Sequence, residues 1–275
     1  TNTDLSVAGL ADGTYKVYAV DEAGGLSSAS VNSVIVDTTP PTVDNVAIDN
    51  GTNMQNKFLN AADKTGSSDV VSAKVTFSED VNKTGTPKLT LAIGSDNETA
   101  NYASGSAAAD LVFQYTIQAG DNDTDGISIG ANVLALNNGT ISDPAGNNAT
   151  LTHSAVLANT SYKVDTTAPT VDNFTLSDTA LKNGDNATVT LGFSEVVIGF
   201  TAADITNPNG SLPSMTSNDN ITWTGTFTPA TNTEVATNTL SLSANSYTDL
   251  AGNNGPSATF SNYVVETRLP TISGV

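Results

Sequence analysis

The chain has no cysteine, a single histidine and only 9 lysine and arginine residues in 275. Without cysteine there is no disulfide framework, and without a second histidine or a thiolate the usual zinc and copper donor sets are excluded. Aromatic residues make up 6% of the sequence, too few to wall a sugar-cleaving cleft around paired carboxylates. No run approaches the roughly 18 apolar residues of a membrane helix, and the opening TNTDLS is neither a signal peptide nor an initiation site. Convincing helical stripes are missing as well.

What the chain does have is acid. Its 28 aspartates and glutamates leave a formal net charge of −19, which repels phosphate backbones and anionic headgroups, so nucleic acid and membrane surfaces are disfavoured as partners. Cations are the natural small partners. The plain alternative is that acidity keeps a long secreted protein soluble. With 38% hydrophobic residues spread along its length, the chain is expected to bury cores rather than remain disordered.

The hydrophobic residues alternate. Val71, Ala73, Val75 and Phe77 interleave with polar residues, as do Ala187, Val189, Leu191 and Phe193; Leu111, Phe113, Tyr115 and Ile117; and Ile221, Trp223 and Phe227. Period two with Gly, Pro, Asn and Asp clusters between segments predicts antiparallel β-sandwiches. In that reading Trp223 is a core residue and His153 a surface strand residue.

Three phrases recur in fixed order. VDTTPPTVDNV from Val36, VDTTAPTVDNF from Val164 and VETRLPTISGV from Val265 mark junctions; KVTFSEDV (74–81) answers to TLGFSEVV (190–197); ISDPAGNN (141–148) answers to YTDLAGNN (247–254), with a weaker copy, AVDEAGG, at 19–25. The intervals are domain-sized rather than those of a short solenoid. They divide the chain into the closing part of a truncated domain (1–37), a complete domain (38–165), a second (166–265) and the first strand of another (266–275). About three strands cannot enclose a core, so residues 1–37 call for strands from elsewhere, in a longer polypeptide or by head-to-tail association.

The D-T-T-x-P junctions, the FSE ending an early strand, the D-x-AGN before the last strand and the Leu10 and Tyr15 corner together resemble the tandem bacterial Ig-like repeats of giant, biofilm-associated surface adhesins. The resemblance implies an all-β fold of tandem Ig-like antiparallel sandwiches in an extended array, and a secreted, calcium-stiffened, non-catalytic stalk on a bacterial surface. Its partners would be neighbouring Ig-like domains of the same polypeptide and calcium, in a monomeric rod. A glycan- or protein-binding module using Asn60 to Asp69 and the Asp121 loop, or accessory domains of a secreted enzyme, stand as alternatives.

Strand parity locates the acids. Loops after the second and sixth strands return to the pole where the first strand begins, so Glu79, Asp80 and Asp143 are expected beside Asp37, and Glu195 and Asp249 beside Asp165. Converging carboxylates repel unless a cation or a proton intervenes. Calcium takes six to eight oxygens in flexible geometry, and Asn147 and Asn253 could add neutral ones. The competing reading makes D-x-AGN a tight turn, with aspartate accepting backbone bonds and glycine at positive φ. A further candidate is Asp121, Asp123 and Asp125 before Gly126, matching the opening of a D-x-D-x-D-G calcium loop, although Asn132 stands where an EF-hand has glutamate. This loop follows a strand that descends toward the opposite pole, so it could also supply the Asp165 junction; an acidic hairpin tip explains the same residues.

Overall fold

The computed structural model describes residues 6–48, 58–60 and 69–272, and its secondary structure is almost wholly β. The helical content among the described residues is one 3-10 turn, Ala202–Asp204. The chain folds as two compact units: 1–55, 70–116 and 125–160 form one, and 56–69, 117–124 and 161–275 the other.

In the first unit the central strand is Val70–Lys83, whose alternation buries Val71, Ala73, Val75, Phe77 and Val81. It pairs antiparallel with Val43–Ile48 on one side and Ala108–Thr116 on the other. The register breaks between Thr76 and Val81, so one strand serves two stretches of sheet. FSE therefore lies inside a 14-residue strand instead of ending one. Asp96–Ser104, Lys88–Ile93 and Leu134–Ala135 extend the sheet outward, and Ile141–Ser142 pairs with the far end of the central strand. Leu89, Leu91, Ile93, Leu111, Phe113, Ile127 and Ile129 complete the core, each such side chain stabilising the fold by about 1.5–3 kcal/mol relative to exposure.

Also in this unit, Gly13–Lys16 pairs with Ser33–Val36. The Tyr15 hydroxyl donates to the carbonyl of Ala11 at 2.8 Å, the corner expected from the sequence. Val17, Tyr18, Val20, Leu26, Val31 and Ile35 are exposed.

The second unit contains two four-stranded sheets. One runs Val171–Leu176, Ala187–Phe193, Thr222–Pro229, Gly210–Ser211; the other runs Ala180–Lys182, Ala258–Glu266, Glu234–Leu242, Ile205–Thr206. Within these two sheets every pairing is antiparallel except that of Ala180–Lys182 with Ala258–Glu266. Between the sheets lie Val189, Leu191, Phe193, Phe227, Leu240, Tyr247, Tyr263 and Val265. Trp223 packs partly buried against this core, its ring edge-on to Phe200 at 5.1 Å. The fold is an all-β Ig-like sandwich.

The units do not break where the repeated phrases do. Asn122–Asp123 pairs with Val164–Asp165, and Leu59 bridges Val164 in parallel, which draws both segments into the second unit. Residues 267–272 carry no strand. Thr267 instead donates its hydroxyl to Ala230 at 2.6 Å and its N–H to Thr233 at 2.8 Å. Most of the expected 60–69 insertion lies outside the described residues.

His153 is a correction. It is buried rather than exposed, with Nε2 accepting from the Val133 N–H at 3.0 Å and Nδ1 2.9 Å from the Ser154 carbonyl. Both ring nitrogens are taken up in holding a loop, and the polar ends of the ring satisfy backbone groups that burial would otherwise strand.

Candidate metal centre

Each D-x-AGN loop is built by its own aspartate. Asp143 Oδ1 accepts the N–H groups of Gly146 at 2.6 Å and Asn147 at 2.9 Å, while Oδ2 accepts the Asn147 amide at 2.7 Å. In the second unit Asp249 Oδ1 accepts from Gly252 at 2.8 Å and Asn253 at 2.9 Å, and Oδ2 from the Asn253 amide at 2.8 Å. Gly146 and Gly252 have φ of 101° and 97°, where a side chain is disfavoured. The AVDEAGG copy forms the same turn, with Asp21 Oδ1 accepting from Ala23 and Gly25.

The turn chemistry therefore exists, and it leaves lone pairs on both buried carboxylates. Asn147 and Asn253 present nitrogen, not oxygen, to the acids. Their amides donate onward to the carbonyls of Asp37 and Asp165, at 3.0 and 2.9 Å. They staple the loops to the D-T-T segments instead of adding neutral oxygens.

The threonines of those segments are held too. Asp12 accepts from Thr38 and Thr39, and Asn122 from Thr166 and Thr167. The sequence pattern did not single out Asp12 or Asn122, because neither belongs to a recurring phrase.

The result is two equivalent acidic clusters. Asp37, Glu79 and Asp143 in the first unit, and Asp165, Glu195 and Asp249 in the second, each bring carboxylate oxygens within 4.8 Å of one another. Asp143 is 2% exposed and Asp249 0%. Asp80, next to Glu79 but exposed, lines with Ile35, Asp37, Glu79, Pro144 and Ala145 a cavity of about 380 Å³.

Crowding shows in the protonation equilibria. Burial, and then the charges of Asp37, Asp143 and Asp80, hold Glu79 above the ordinary glutamate value. Glu195 is pushed up to about 7, first by burial and then by Asp249 and Asp165. Burial also raises Asp165, opposed by the Thr167 N–H and reinforced by Asp249. Asp143 goes the other way: burial would raise it, but the hydrogen bonds from Asn147, Gly146 and Ala145 outweigh that and lower it.

Asp121, Asp123 and Asp125 lie outside both clusters. Asp123 is buried in a two-residue strand paired with Val164, and Asp121 Oδ2 accepts the Gln118 N–H at 2.8 Å. Asn122 and Asp123 are extended in that strand, whereas Thr124 and Asp125 form a bend and Gly126 has a φ of 101°.

An all-oxygen donor set with no His or Cys fits a hard cation. One further buried oxygen belongs to a side chain hydrogen-bonded to the Asp249 loop. Asn60, fully buried, donates from Nδ2 to the Ala251 carbonyl at 2.6 Å, and its Oδ1 has no partner. An orphaned buried carbonyl destabilises a fold by about 1–3 kcal/mol.

No curated protein matches the chain. Residues 165–265, from the first aspartate of the second cluster to the last strand of its sandwich, match the family described as a bacterial Ig-like domain.

Proposed function

We propose that the chain is a non-catalytic structural segment of a large secreted bacterial surface adhesin, and that calcium binds at both acidic clusters. The observation that carries this reading is duplication: the same three acidic positions, from the same three phrases, converge in each unit. A turn alone accounts for Asp143 and Asp249; it does not account for Glu79 and Glu195 being held against them.

In each unit the cation would be held by the D-T-T aspartate, the FSE glutamate and the D-x-AGN aspartate. Calcium supplies positive charge and a demand for many oxygen ligands. The aspartate loops are already closed by their own N–H groups, so little ordering remains for binding to impose. Bound calcium would pin the proline-containing D-T-T segment to the pole of its sandwich, restricting a stretch otherwise able to bend. Modules stiffened in this way suit a stalk exposed to an extracellular, calcium-containing medium.

The test is calorimetry and small-angle scattering of the whole chain in millimolar calcium and in chelator. Calcium at about 100 times its dissociation constant adds about 2.7 kcal/mol per site, so a higher melting temperature and a changed scattering profile are expected. Superimposable curves in the two media would end the proposal.

A further inference from the structure

The two clusters share their acids, but their surroundings differ at one atom. Among the described residues, the only buried side-chain oxygen without a partner is Oδ1 of Asn60, and Asn60 adjoins two of the three segments that build the second cluster. The Leu59 carbonyl accepts the N–H of Asp165 at 2.9 Å. The Asn60 amide nitrogen donates into the loop closed by Asp249, at Ala251, and a Cβ on Gly252 would come within 3.3 Å of that nitrogen.

The orientation of this amide is determined by its neighbour. Turning it over would set Oδ1 against the Ala251 carbonyl, acceptor to acceptor, so nitrogen belongs there and oxygen is left on the other fork. Asn60 is further fixed through its backbone, whose N–H donates to Asp69 Oδ2 at 3.0 Å. Among the described residues around the first cluster, no buried oxygen is left over in this way, and the acids border the open cavity beside Ile35 and Pro144.

We propose that Asn60 Oδ1 is a neutral fourth side-chain ligand of the second cluster, which makes that cluster the tighter calcium site, filled before the first. The inference rests on the calcium reading above. A carbonyl oxygen adds coordination without adding repulsion among three carboxylates, and calcium accepts such oxygens readily. A buried ligand held in place by its own nitrogen also has little freedom left to lose.

The experiment titrates calcium into the full chain carrying Glu79→Gln, which weakens the first cluster, with and without Asn60→Ala. Isothermal calorimetry should show the remaining site weakened about tenfold or more by Asn60→Ala, the scale of losing a group that orders a metal site. Because Asn60→Ala could also disturb the fold, the unmutated chain is followed in parallel by carbon-detected NMR. There the Asn60 side-chain carbonyl resonance should shift with the tighter of the two calcium transitions. A carbonyl resonance that stays still while the second cluster binds calcium, or an unchanged affinity in Asn60→Ala, overturns the role of Asn60 alone and leaves its oxygen to a buried water. Calcium uptake by neither cluster in the unmutated chain overturns the calcium reading itself.

Discussion

The side-chain amide of Asn253 donates to the main-chain carbonyl of Asp165 at 2.9 Å, across 88 residues of sequence. It also reaches Asp249 Oδ2 and the Thr167 carbonyl. One amide thus ties the D-x-AGN loop to the D-T-T segment, and Asn147 does the same between Asp143 and Asp37.

Replacing Asn253 by alanine removes these bonds and strands buried acceptors. A loss of about 1–3 kcal/mol is expected, read by urea denaturation as a lower midpoint with an unchanged slope. Asn253→Asp should cost more in chelator than in calcium, because it adds a fourth carboxylate to the cluster.

Glu195 gives stability a pH dependence of definite sign in chelator. Its folded-state value of about 7 lies above the ordinary 4.5, so the folded chain keeps a proton that the unfolded chain releases. Its contribution is full below about 4.5 and is lost as pH rises through about 7. Asp165, also raised, acts in the same direction. Denaturation midpoints measured between pH 4.5 and 8 should decline for the parent chain and decline less for Glu195→Gln; parallel profiles would show that Glu195 does not bear this burden.

Neutralising one acid should invert with the medium. Glu195→Gln and Glu79→Gln each relieve repulsion, so both variants should melt higher than the parent in chelator. Both should also gain less from added calcium. A calorimetric series over calcium concentration separates the two effects, and a variant that melts lower in chelator would contradict the repulsion argument.

Gly252 adopts a φ of 97° in the loop closed by Asp249. Gly252→Ala forces a side chain into that region at about 1–2 kcal/mol, and the new methyl would crowd the Asn60 amide. Gly146→Ala has the same strain with open space around it. Comparing their denaturation midpoints isolates the contact with Asn60.

Much of this was legible because β-structure has a period of two. The alternation at Val71 to Phe77 and at Ala187 to Phe193 identified buried faces directly, and strand parity brought the FSE and D-x-AGN acids to one pole. Asn60 was not legible as a neighbour of Ala251, since 191 residues separate them and no repeated phrase contains Asn60. His153 misled because a lone histidine among threonines and serines looks exposed, whereas both its nitrogens serve loop backbone. Strand direction already allowed the Asp121 loop to reach the Asp165 junction, and Asn122–Asp123 does pair with Val164–Asp165; spacing alone did not reveal that backbone pairing.

The parallel pairing of Ala180–Lys182 with Val264–Glu266 bears on how the second sandwich would meet a pull. Tension entering near one terminus of this unit and leaving near the other drags these two strands past each other lengthwise. Their cross-links are then loaded side by side and must give way together, not unzip singly. A domain fastened in that manner resists stretching longer than its thermal stability alone would suggest, because rupture is governed by the rate of unfolding.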